Sequence, residues 1–140
     1  MRGVPTLIRL AQHDVDEQRS DLGRIAEARA AAEAALREHD AELVREASLS
    51  LTDTLELAAF STWARQANRA RGKLQQRFAE LDRTETAARE SLRDAISQVK
   101  RLQSVLESAE SSMRQAATRR ADIRADEREV ARHAASAAAR

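Results

Sequence analysis

The chain has 140 residues, of which 34% are charged and 2% aromatic, with no Cys, three Gly, one Pro and a formal net charge of +1. Two Phe, one Trp and no Tyr cannot fill a globular core, so a single domain of this length must bury a thin seam of Ala and Leu instead. The lack of Cys excludes disulfides, thiolate metal sites and thiol nucleophiles together.

The first residues, Met1-Arg2-Gly3-Val4-Pro5, lack the apolar core of a signal peptide, and no apolar run approaches membrane-spanning length, so the expected location is the cytosol. Pro5 suits the first turn of a helix, where its missing N–H costs nothing. A first helix is predicted over residues 5–47, with a seam alternating three and four: Ile8, Ala11, Val15, Gln18, Leu22, Ile25, Arg29, Ala32, Leu36, His39 and Leu43. Gln18, Arg29 and His39 interrupt it, which weakens packing and can fix register. Gly23 inside this helix either permits close helix approach or is neutral, at about 1 kcal/mol against Ala.

Ser, Thr and Asp cluster after residue 47, where the seam loses phase, and a turn is predicted over 48–60. Asp53 with Glu56 resembles a capping box, and Ser61 is an alternative cap. Leu49, Leu51, Leu55 and Leu57 are expected to fold over the hairpin tip, the alternative being a short strand added to a partner's sheet. Phe60 and Trp63 form an aromatic pair just after the bend, read either as a plug closing the hairpin or as an anchor for a partner.

A second helix is predicted over 61–134, with a frayed tail at 135–140. From Phe60 the count four, three, four, three lands on apolar residues through Ala134 except at Arg71, Glu85, Arg120 and Glu127. An apolar seam recurring every ~3.5 residues stays on one face of a helix of about 3.6 residues per turn only if the helix supercoils left-handedly around another. The fold class is therefore all-α, a single antiparallel two-helix coiled-coil hairpin with unequal helices. A bend near Asp53 brings Leu43 near Ala64 and Ile8 near Val99. Beyond that level helix 2 continues its seam with no partner in the chain, as interface stripes do. The alternative is self-association through this overhang.

Charge is unevenly spread. Over 11–47 acids outnumber bases ten to five, and over 60–134 bases outnumber acids sixteen to eleven. Arg120, Arg124 and Arg128 recur at i, i+4 and make a basic stripe on the overhang. His13, His39 and His133 are far apart, and no HExxH motif or Gly-rich phosphate loop occurs, so no catalytic, cofactor or metal site is expected. His39 reads as a structural histidine at the level of Ala67 and Arg71. Arginines alternating with acids, without interleaved aromatics, argue against nucleic acid, and the Ala-rich stripe argues against a membrane-surface helix.

Thr6-Leu7, Leu10-Ala11, Val15-Asp16 and Leu22-Gly23 lie on an acidic first helix. That helix leads through a Ser/Thr/Asp-rich turn to a Trp and a much longer second helix, and in this the chain resembles the FliJ family of flagellar type III export proteins. The resemblance implies a non-enzymatic, cytoplasmic stalk at the inner-membrane export apparatus, similar in form to the gamma subunit of rotary ATP synthases. It implies as partners a hexameric export ATPase (FliI-like), an export gate protein (FlhA-like) and substrate chaperones (FlgN- and FliT-like). The ATPase ring would contact Leu7, Arg9, Arg119, Arg120, Ile123, Arg124, Arg128 and Val130, and the gate or tip contact would use Leu55, Leu57, Phe60 and Trp63. Family members often place aromatics on the gate-facing surface, where this chain has Glu42, Glu46, Arg69 and Gln76. The alternatives are the equivalent stalk of a virulence or symbiosis type III system, or a coiled-coil adaptor unrelated to secretion.

Overall fold

The computed structural model of the chain describes residues 2–49 and 54–140. They form two helices, α1 (Val4–Leu49) and α2 (Thr54–Ala138), packed against each other as a helical hairpin whose second helix is much the longer. The first helical bond of α1 runs from the Leu7 N–H to the Gly3 carbonyl at 3.0 Å, which leaves Pro5 in the first turn, where it forfeits no bond.

Contacts divide the chain into two units, His13–Ala95 and Met1–Gln12 with Ile96–Arg140. In the first, every expected seam residue of α1 from Val15 to Leu43 and of α2 from Phe60 to Ala95 is buried or half-buried. The core is thin: Val15, Ala32, Ala67, Leu81 and Ala95 are its buried apolar residues, and all are small or medium in size.

Most polar interruptions of the two seams find partners on the opposite helix. Arg29 Nε donates to Asp82 Oδ1 at 2.8 Å, lies 3.4 Å from Glu85 Oε2 and stands 5.1 Å over the Phe78 ring. Glu85, only 6% exposed, also accepts from Arg89 at 2.5 Å. Arg71 grips Asp40 through both oxygens, at 2.6 and 3.3 Å. His39 Nε2–H donates to the Ala67 carbonyl at 2.7 Å, the level expected of it. As the α1 partner advances from Arg29 to Asp40, the α2 partner retreats from Asp82 to Arg71, so the helices run antiparallel. The Arg71 hydrogen bond holds the Asp40 carboxyl below its ordinary 3.8, and the same bond pushes the Arg71 guanidinium up. Gln18 is the exception: its amide donates to Asp14 on its own helix, and its buried Oε1 meets no partner.

In the second unit Ile8 is buried and Ala11 half-buried, and Val99, Leu102, Leu106 and Ala109 are half-buried on α2. Coverage then fades: Met113 is exposed, Ser111 and Ala116 are half-buried, and every residue from 117 to 140 is exposed.

Three expectations are corrected. α2 begins at Thr54, so residues 54–60, read as turn or strand, are helical. Just beyond them the Ser61 and Thr62 hydroxyls donate back to carbonyls one turn earlier, of Leu57 and Ala58, inside the continuing helix. Ser61 is therefore no cap. Glu56 falls in the first turn of α2, where the helix dipole favours an acid, while Asp53, the other half of the capping box, and Leu51 lie outside the described residues. Leu49, Leu55 and Leu57, expected to fold inward, are exposed, Leu55 to 81%, because they fall off the stripe that Leu43, Ala47, Phe60 and Ala64 carry. The tail keeps its helix to Ala138, the Ala139 N–H still reaching the Ala135 carbonyl at 3.2 Å, as Ala's helix propensity favours even without a seam. Of the two readings of Gly23 the neutral one holds, since a Cβ added there would meet nothing.

Candidate functional site

The residues expected to meet an ATPase ring fall into two patches on one unit. Leu7 and Arg9 flank buried Ile8 and are exposed, so they belong to the level where α1 covers α2. The unbroken half-buried α2 seam there reaches Ala109, with Met113 already exposed, and Arg119 lies about 15 Å beyond Ala109 at ~1.5 Å per residue. Leu7 and Arg9 thus stand apart from the main cluster.

That cluster lies on the uncovered part of α2. At roughly 100° per residue, Ile123, Val130 and Ala134 line one strip together with Arg120 and Glu127, which hold core positions of the same heptad count. Arg119 and Asp126 border the strip on one side, and Arg124 and Arg128 rise on the other. Ile123 is 56% and Val130 69% exposed, large values for branched apolar side chains. A shallow groove along this face is lined by Ile123, Asp126, Glu127, Val130, Ala131 and Ala134. Arg128 turns back to donate to the Arg124 carbonyl at 3.2 Å, and Arg132 stands 3.8 Å from Glu129. Among the described residues no ion pair engages Arg119, Arg120 or Arg124. From 113 to 140 the chain carries seven Arg against four acids, so this stretch of helix attracts acidic surfaces at long range.

The tip pair is present in the structure. Phe60 and Trp63 are both half-buried, with ring centroids 5.8 Å apart and planes tilted by 35°. Phe60 stands on the hairpin seam and Trp63 beside it, whereas Leu55 and Leu57 lie off it and are exposed, so the four tip candidates split into a half-buried pair and an exposed pair.

Sequence reasoning named Arg29, Arg71 and Glu85 as interruptions but missed Asp40, Asp82 and Arg89, which complete their ion pairs. The signal was there in part: Glu85 and Arg89 stand at i, i+4. Among the described residues no three His, Asp or Glu side chains gather as a metal site, and no helix is long and apolar enough to cross a membrane. No protein-family model matches the chain, and neither a curated protein nor a solved structure matches it.

Proposed function

We propose that the chain is a non-enzymatic stalk of a type III protein export apparatus, of the flagellar kind. Its α2 overhang would enter the pore of a hexameric ATPase ring, and its hairpin end would face the membrane gate. One observation carries the reading: α2 remains helical to Ala138 while every residue from 117 onward is exposed, yet the heptad phase persists through Ile123 and Val130. A helix that keeps an apolar stripe where its own chain does not cover it is shaped for an external partner. Arg119, Arg120, Arg124 and Arg128 supply positive charge that would steer the rod toward acidic pore loops, and Ile123 and Val130 supply apolar contact. Peripheral residence at the inner-membrane apparatus, binding of export chaperones and gate contact through Phe60 and Trp63 belong to the same proposal.

The test is binding to a purified export ATPase of the FliI type. Arg120→Glu with Arg124→Glu should weaken binding by roughly tenfold or more at low salt, less at high salt, and reduce stimulation of ATP hydrolysis. Unchanged affinity and unchanged stimulation overturn the proposal.

A further inference from the structure

We propose that two copies of this chain pair through residues 113–130 of α2, antiparallel and in one defined register. The strip offers Met113, Ile123 and Val130, all more than half exposed, with Ala116 between them on the heptad count. Its two polar core positions, Arg120 and Glu127, carry opposite charges one heptad apart. That arrangement selects an orientation. In a parallel pair like positions face each other, so Arg120 would meet Arg120 and Glu127 would meet Glu127, two repulsive layers in one short seam.

An antiparallel pair instead sets each first core position of the heptad against the second core position of the other helix. One register places Met113 over Val130, Ala116 over Glu127 and Arg120 over Ile123, each layer occurring twice about the two-fold axis. Arg120 of one protomer then reaches Glu127 of its partner in the adjoining layer, and at the border Arg119 of one meets Asp126 of the other. The neighbouring registers lack this complementarity. One heptad along, Asp126 faces Asp126 and Arg124 faces Arg124; one heptad back, Arg119 faces Arg119. The distribution of charge therefore fits a second copy of this chain in one register and opposes the nearest alternatives. The pairing does not depend on the stalk reading. Where that reading holds, ring and second copy compete for one face.

Sedimentation equilibrium of the full chain alone should show the mass rise from 15.5 kDa toward twice that value with concentration. Arg120→Glu and Glu127→Arg should each weaken dimerisation by about tenfold, and the two together should restore it, with helicity by circular dichroism unchanged throughout. The chain has no Cys, so disulfide trapping is clean. Met113→Cys combined with Val130→Cys should give a covalent dimer on mild oxidation, and Met113→Cys alone should not. A strictly monomeric chain at millimolar concentration, a dimer that Ile123→Asp leaves intact, or cross-linking of the single Met113→Cys variant would each overturn the proposal. A monomer that still binds the ATPase refutes the pairing and leaves the stalk reading standing.

Discussion

Replacing Arg29 by Ala should lower stability by about 2 kcal/mol, and the loss should shrink by about half when Glu85 is already Leu. Arg29 makes one short charged hydrogen bond to Asp82 at 2.8 Å, a longer ionic contact to Glu85 at 3.4 Å and a stacking contact 5.1 Å over Phe78. Charged hydrogen bonds are worth roughly 1.5–3 kcal/mol when buried. Here the Arg29 side chain is 36% and that of Asp82 52% exposed, so about 0.5–1 kcal/mol is the better figure for that bond. The cation–π contact adds about 0.5 kcal/mol. The remainder comes from Glu85, which would keep only Arg89 as a partner while almost wholly desolvated. Glu85→Leu removes that buried charge and fills a core position, so it should be neutral or mildly stabilising and should make Arg29 cheaper to lose. The assay is a double-mutant cycle by urea unfolding followed by far-UV circular dichroism. A coupling near 1 kcal/mol is expected, and additivity within about 0.3 kcal/mol would refute the claim that Glu85 relies on Arg29.

Gly23→Ala and Gly72→Ala should each stabilise by about 1 kcal/mol, because a methyl at either position meets open space within a helix, and urea midpoints would show it. Acid should selectively weaken the Asp40–Arg71 clasp: the Asp40 carboxyl is depressed in the folded state, so its stabilisation is complete above the ordinary 3.8 and is lost as pH falls through the lower folded value. Asp40→Asn should flatten the stability profile in that acid window and leave its shape near neutrality unchanged. Trp63→Ala should cost about 1–2 kcal/mol through loss of half-buried packing against Phe60; if gate affinity survives that change, the pair is a plug rather than an anchor.

The seam was legible to the residue, because heptad spacing fixes which face of a helix is buried whatever lies opposite. Each core position expected from Ile8 to Leu43 and from Phe60 to Ala109 is buried or half-buried. The tip was misread for a local reason. Ser61 suggests a cap by propensity, but its hydroxyl closes onto the Leu57 carbonyl inside a helix that has already begun at Thr54. The pairings of Arg29 with Asp82 and of Asp40 with Arg71 were hidden differently: spacing gives the face and not the register, and an uncertain bend shifts every cross-helix level by the same amount.

Register is where the polar seam residues matter most. A seam of Ala and Leu packs about equally well after a one-heptad slip, since the apolar layers exchange for others of similar volume. The charged residues do not exchange so easily. Within 13–95, sliding α2 one way would set Arg29 against Arg71 and Gln75, and the other way would set Asp40 against Phe78, leaving charges facing like charge or hydrocarbon without their partners. Arg29, His39, Arg71 and Glu85 thus reject neighbouring registers, each through a partner on the opposite helix. Arg120 and Glu127 hold the same kind of core position, but on the exposed stretch of α2 and with no cross-helix partner among the described residues. By the logic of the paired four, their specificity is directed at a surface outside the single chain, and their charge signs state what that surface must bring within reach: an acid near Arg120 and a base near Glu127, as the adjoining layers of a second copy do.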